Sequence, residues 1–303
     1  MYFDQKSNFA SDEFEFDFAN KTIKLKYIYY WYDSNHSTIL FFHANGFSSQ
    51  TYNKILKFFY EQSYNIFGLN FAGHDGSENY SNFRNWFFFR DQVLSFANFL
   101  RSKTGISKFH LIGHSLGGAS SLLAASLDKE HIISVVCWDP VVFTPFFSFL
   151  TLFIEPPIAK TTEKRRDEFP NVEVLKRSLK LLPLFKNWDK EVLQDYVDSC
   201  FYFDEFSKKY KLSLPKDIEA KIFRSLKFGH WKFYKKITQP VFVLTPKTSF
   251  VCPPRARRLL TRNHPISKSE IHPIDSHFFP MIQPIQTAEI TLRFLKQIEN
   301  SKL

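Results

Sequence analysis

The chain has 303 residues, 44% of them hydrophobic and 23% charged, with a formal net charge of +10; this is the make-up of a folded protein able to bury a large core, not of a disordered or collagen-like chain. The cationic excess lies in the second half, where residues 151–303 hold 28 Lys/Arg against 17 Asp/Glu while residues 1–150 hold 12 against 13. Those cations alternate with acids (TTEKRRDEF, KNWDKEVLQDY) and accompany no recognition module, so no nucleic-acid partner is expected.

In chain order, the acidic start MYFDQKSNFASDEFEFDF lacks the basic-then-apolar pattern of a signal peptide. FEFDFA and TIKLKYIYYWY alternate with period two and predict a hairpin of strands. Short apolar runs then alternate with helical patterns: STILFFH (strand), TYNKILKFFYEQ (helix), NIFGLNF (strand), NWFFFRDQVLSFANFLRSK (helix), KFHLIGH (strand), LGGASSLLAASL (helix) and HIISVVCWDP (strand). Residues 143–237 break this rhythm with helical runs (EVLKRSLKLL, KEVLQDYVDSCF, KDIEAKIFRSL) and almost no strand pattern. The rhythm resumes with the strand PVFVLT, the helix CPPRARRLLTR, the strand SKSEIHPI and the closing helix TAEITLRFLKQIEN. Such alternation predicts an α/β fold with a mostly parallel sheet covered on both faces. The expected division is a core of residues 1–142 and 238–303 with a helical cap, 143–237, inserted after the sixth strand.

Cys137, Cys200 and Cys252 are odd in number and carry no metal-type spacing, which fits a reducing compartment and no disulfide framework. No metal constellation or phosphate loop appears, so no cofactor is expected. The longest apolar run, VVFTPFFSFLTLFI, is too short and interrupted to span a bilayer; stable membrane insertion is not expected, and a cytoplasmic protein is. The final Ser301-Lys302-Leu303 reads as a peroxisomal import tripeptide, which in a eukaryotic host points to the peroxisomal matrix.

Only nine glycines occur in the chain, yet three lie in Gly113-His114-Ser115-Leu116-Gly117-Gly118. With a strand before it and an apolar helix after it, this G-x-S-x-G has the context of a nucleophile elbow, in which a sharp turn lifts a serine hydroxyl above the sheet. From about residue 37 to 298 the chain resembles the α/β-hydrolase superfamily, its capped, esterase- and lipase-like serine hydrolases in particular. The resemblance implies an eight-stranded, mostly parallel sheet. His43-Ala44-Asn45-Gly46-Phe47 is similar to the family's oxyanion loop, with Ala44 where glycine is usual. It implies one backbone donor from Asn45, or else Gly46, and a second from Leu116. Gly73-His74-Asp75-Gly76-Ser77 resembles a turn that is architectural in the family. Ser276-His277-Phe278-Phe279-Pro280 resembles the segment carrying the catalytic base, His277.

The acid departs from the family pattern. Most relatives carry Asp in the loop after the seventh strand, but here that loop is Thr245-Pro246-Lys247-Thr248-Ser249-Phe250-Val251, with Ser249 at the acid's place. Some members place the acid at the end of the sixth strand, where this chain has Asp139. Asp275 neighbours His277 too closely to orient its ring. Asp139→Asn is then expected to cripple turnover and Ser249→Ala to change little. A Ser-His-Asp set with two amide donors performs acyl transfer to water through an acyl-enzyme, so the expected substrate is a small molecule with an apolar acyl group, a carboxylic ester, a thioester or a lipid acyl ester. The alternative is a catalytically silent ligand-binding protein on the same fold, favoured by the missing acid.

Overall fold

The computed structural model describes residues 9–142, 155–226 and 229–301. Most of the run VVFTPFFSFLTLFI, and Lys302 and Leu303 of the C-terminal tripeptide, lie outside the described residues.

The elements follow in chain order as β1 (Ala10–Phe18), β2 (Lys21–Tyr30), β3 (Thr38–Phe42), α1 (Asn53–Glu61), β4 (Asn65–Leu69), α2 (Phe87–Thr104), β5 (Phe109–His114), α3 (Leu116–Ala125) and β6 (Ile132–Trp138). Next come α4 (Pro157–Lys164), β7 (Glu168–Phe169), α5 (Val172–Leu181), α6 (Lys190–Cys200), β8 (Phe201–Asp204), β9 (Lys209–Leu212), α7 (Lys216–Arg224) and α8 (Trp231–Tyr234). The chain closes with β10 (Val241–Thr245), α9 (Pro254–Thr261), β11 (Lys268–Ile271), α10 (Phe279–Ile282) and α11 (Pro284–Asn300).

Eight strands form one sheet in the order β1-β2-β4-β3-β5-β6-β10-β11. β1 and β2 form the expected hairpin across Ala19 and Asn20, both at positive φ (49° and 64°), the signs that a two-residue type I′ turn demands. β2 runs antiparallel to β4, and every further pairing is parallel. The central strands β3, β4, β5, β6 and β10 are almost wholly buried, as a sheet covered on both faces requires. Successive residues serve opposite layers. Leu40, Phe42, Leu111, Val135 and Val243 pack with α2, α3 and α9, while Ile39, Phe41, Ile112, Val136 and Phe242 pack with α1 and α11.

The segment between β6 and β10 holds the expected helices and also a separate three-stranded sheet, order β7-β9-β8, that the sequence pattern did not announce. Its strands have two to four residues, too few for alternation to register. The segment is packed onto the core: Leu175, Leu179, Phe185, Trp188 and Tyr196 share one apolar cluster with Phe41 and Trp138. Hydrogen bonds add to this, from Trp86 Nε1 to the Ile222 carbonyl (2.8 Å), from Ser48 Oγ to Ser199 Oγ (2.6 Å) and from Asp189 N–H to the Met281 carbonyl (2.9 Å).

Candidate active site

The turn from β5 into α3 is the tightest place in the sheet. Ser115 stands at φ 54°, ψ −110°, a conformation that a side chain rarely adopts. Two contacts hold it: its N–H donates to the Trp138 carbonyl (3.0 Å), and its carbonyl accepts from Val141 N–H (3.3 Å). The glycines are explained by close approach. A Cβ on Gly117 would strike the Phe42 carbonyl, and one on Gly113 the Gly117 backbone. The helix can therefore start directly against β3, with the serine at its N-terminal end.

His277 follows β11, and Asp139 follows β6. His277 Nδ1 lies 2.7 Å from Asp139 Oδ2, and the carboxylate is 1% exposed. A carboxylate accepts, so Nδ1 carries the proton and Nε2 is left as the basic nitrogen. Asp139 is held at φ 41° although a proline follows it, a placement usually disfavoured before proline; its N–H donates to the Leu244 carbonyl (2.8 Å). Ser249, at the place where the family pattern has its acid, is no bystander. Its Oγ donates to Asp139 Oδ1 at 2.5 Å and accepts from Cys252 N–H at 2.9 Å. Both carboxylate oxygens are thus engaged, one by the imidazole and one by the substitute serine. This contact gives Ser249 a partner that the sequence pattern did not announce. Asp275 is occupied elsewhere, accepting from Thr248 N–H (2.7 Å) and Oγ1 (2.8 Å).

Three buried, neutral histidines fix the loops around this pair. His114 Nε2–H donates to the His277 carbonyl (2.9 Å), while its Nδ1 accepts from Tyr52 Oη (2.7 Å), which in turn accepts from Ala44 N–H (3.3 Å). One chain of bonds therefore links the loop after β3, the serine turn and the His277 loop. His43 Nδ1–H donates to the Ala44 carbonyl (2.8 Å) and its Nε2 accepts from Phe71 N–H (3.0 Å). His74 Nε2 accepts from Gly46 N–H (3.2 Å). Burial pushes all three below the ordinary imidazole value, His74 to about 4, and neighbouring His277 and His74 push His114 and His43 further down.

These bonds sort the amides of the loop after β3. Ala44, Gly46 and Phe47 all donate within the protein, so Gly46 is spoken for. The Asn45 N–H has no partner among the described residues, and Leu116, first in its helix, has no intrahelical acceptor for its own. Asn45 Nδ2 donates to the Glu219 carbonyl (3.2 Å), tying this loop to α7; its Oδ1 is buried without a partner among the described residues. The Glu219 carboxylate pairs with Arg165, and burial raises it above the ordinary carboxylate value.

Beside His277 opens a groove of about 560 Å³, with Pro183, Leu184, Asn187, Ile274, Phe278 and Ile282 among its walls. Phe47 sits 5.4 Å from Tyr196, 5.7 Å from Trp188 and 5.9 Å from Phe278 between ring centroids, so aromatic side chains join the loop after β3, the inserted segment and the His277 loop. Among the described residues no group of His, Cys, Asp and Glu could hold a metal, and the three cysteines are buried and unpaired. Sequence reasoning missed the contacts that Tyr52, His114 and Ser249 make around His277 and Asp139. For His114 a signal existed, its place inside the serine turn; for Tyr52 and Ser249 only the tertiary structure reveals them.

A strained serine at a strand-to-helix turn, on this sheet, defines the α/β-hydrolase fold class. The chain belongs to that family: the model described as "alpha/beta hydrolase fold" matches residues 37–198. Among curated proteins it is 25% identical over 128 residues to "Putative esterase/lipase 2" of Mycoplasma pneumoniae, a match spanning 42% of this chain and 47% of that protein. The chain thus spans about half the length of the curated relative it matches. Among solved structures, the fold is similar to that of a peroxisomal alpha-beta-hydrolase of Saccharomyces cerevisiae, with TM-score 0.76, 16% identity and coverage of 97% of this chain and 88% of that one. It is also similar to E-2-(acetamidomethylene)succinate hydrolase (TM-score 0.75, 18% identity, 95% and 100% covered). A thermophilic esterase from Thermogutta terrifontis gives TM-score 0.67 at 15% identity, with 95% and 99% covered.

Proposed function

We propose that this protein is a serine hydrolase that cleaves a carboxylic ester, or thioester, with an apolar acyl group. Ser115 is the nucleophile, His277 the base and Asp139 the acid. The observation that carries the reading is the 2.7 Å contact between His277 Nδ1 and the buried Asp139 carboxylate, because it supplies the member whose absence from the usual loop favoured a silent binding protein.

In this reading Ser115 Oγ bonds to the substrate carbonyl carbon as His277 Nε2 takes its proton. The carbonyl π pair moves to oxygen, where the Leu116 and Asn45 amides stabilise it. The tetrahedral centre collapses, the bond to the leaving oxygen or sulfur breaks, and Nε2 returns the proton to the leaving group. Water then repeats the sequence on the acyl-enzyme and frees the acid. Asp139 holds the ring in one tautomer and stabilises the imidazolium. Residues 143–237 serve as a cap over the core, and the aromatic contacts among Phe47, Trp188, Tyr196 and Phe278 give an acyl chain its apolar wall. The expected substrate is a small molecule.

A fluorophosphonate probe tests this directly. Wild-type protein should be labelled at Ser115 and Ser115→Ala should not; an unlabelled wild type together with a tightly retained ligand would favour the silent binder. Acyl esters of graded chain length should then show a turnover optimum that measures the acyl pocket. In a eukaryotic host, a fluorescent fusion keeping Ser301-Lys302-Leu303 free should enter peroxisomes and lose that location when the tripeptide is removed.

A further inference from the structure

The inserted segment treats its cations in two ways. Around α4, α7 and the small sheet several are paired, Arg165 with Glu219, Lys209 with Glu168, Lys211 with Asp204, Lys216 with Asp167, and Arg224 with Glu155 and Glu163, while Arg166 and Lys221 lie over the rings of Phe169 and Phe83. The stretch 174–188, VLKRSLKLLPLFKNW, has no carboxylate at all. Its Lys176, Arg177, Lys180 and Lys186 take part in no ion pair among the described residues. Between them lies a bare apolar edge, with Leu181 78%, Leu182 49% and Leu184 39% exposed. A soluble surface rarely leaves consecutive leucines open, and such an edge ringed by one sign of charge marks an interaction site.

We infer that this edge is a docking surface for an anionic phospholipid bilayer. Leu181, Leu182 and Leu184 enter the boundary between headgroups and acyl chains, and the four cations face the lipid phosphates. Charge complementarity selects this occupant. Unpaired cations beside apolar side chains gain from a negatively charged interface on both counts, whereas in a second copy of the chain the same four charges would face one another. Placement agrees. Pro183, Leu184 and Asn187 form one rim of the groove that runs to His277. Phe250, 91% exposed, is carried by the loop that Thr248 binds to Asp275 on that groove's wall. Docked in this way, the groove opens onto the lipid, which makes a lipid acyl ester a natural substrate class. That last step rests on the proposed hydrolase; the docking does not.

Co-sedimentation with vesicles tests the surface independently of turnover, using full-length Ser115→Ala protein. Binding should be strong to vesicles of equal parts phosphatidylcholine and phosphatidylglycerol, weak to phosphatidylcholine alone, and should fall as salt rises. Adding Lys180→Glu and Leu181→Asp together should weaken it by about 125-fold, roughly fivefold for each of the three charge units changed; Lys186→Glu, at the other end of the edge, should weaken it too. All these positions are exposed, and the double change in the wild-type background should leave turnover of a soluble short-chain ester unaltered. Equal binding to neutral and anionic vesicles, unchanged binding of the variants, or no binding to either vesicle overturns the proposal. So does a dimer that forms without lipid and is lost on Leu181→Asp, which would assign the leucines to a second copy.

Discussion

The strand ends and the inserted segment handle polar groups by different rules. At the strand ends the side chains named are fully engaged: both Asp139 oxygens have donors, and His43, His74 and His114 each bond through both ring nitrogens. In the inserted segment the ion pairs lie mostly at the surface, where each contributes little, and Lys176, Arg177, Lys180 and Lys186 stand outside any among the described residues. Buried polar atoms are left over in both regions, Asn45 Oδ1 and Ser120 Oγ of the core among them. Trp188 Nε1, Trp231 Nε1 and both ring nitrogens of His230 have no partner among the described residues. The contrast separates two tasks. In the proposed hydrolase the sheet positions the reacting atoms, and the insertion adds charged surface and an apolar wall.

The comparison breaks most visibly at Asp139. Asp139→Asn should lower turnover by roughly 10⁴ while leaving the fold intact, because an amide in place of the carboxylate favours the wrong imidazole tautomer; kcat on a short-chain ester measures it. A smaller effect, on the order of 3 kcal/mol at pH 4, should come from His230→Phe in the insertion. Burial depresses His230 to about 4, so between the unfolded value near 6.5 and that value the unfolded chain takes up a proton that the native protein refuses. The contribution of this residue is absent above pH 6.5 and becomes a loss of native stability as pH falls toward 4. The phenylalanine variant should therefore melt higher than wild type by a margin that widens with acidity; parallel curves would remove the effect. Asp75 and Asp195, both raised to about 7 by burial, act in the opposite direction in both proteins and cancel from the difference. Smallest of the three, Ser249→Ala should cost about tenfold in kcat with KM nearly unchanged, the scale of one hydrogen bond to a charged group. A silent substitution would return Ser249 to the bystander that its loop suggested.

Most of the sheet was legible because its signals are local and dense. The run STILFFH and its counterparts announce buried strands, and the glycine cluster around Ser115 announces a turn that no other residue can make. Ser115, His277 and Asp139 could each be proposed by motif or by position at a strand end, and the structure brings the last two into contact. The short strands β7, β8 and β9 could not, since two to four residues carry no period. Nor could the bond from Ser249 to Asp139, which joins positions 110 residues apart, or the chain from Ala44 through Tyr52 and His114 to His277. These are properties of packing, and no spacing in the sequence encodes them.

The move of the carboxylate to β6 has a mechanical consequence. Ser115 and Asp139 now stand on neighbouring strands that are bonded to each other through the Trp138 carbonyl and Val141 N–H. In the proposed triad, nucleophile and acid therefore travel as one block, and the imidazole alone arrives on a separate loop, fastened to that block by its ring and by the carbonyl that His114 holds. The constellation has a single adjustable component, so early thermal or denaturant damage should disengage the histidine first and reversibly, with the sheet still standing.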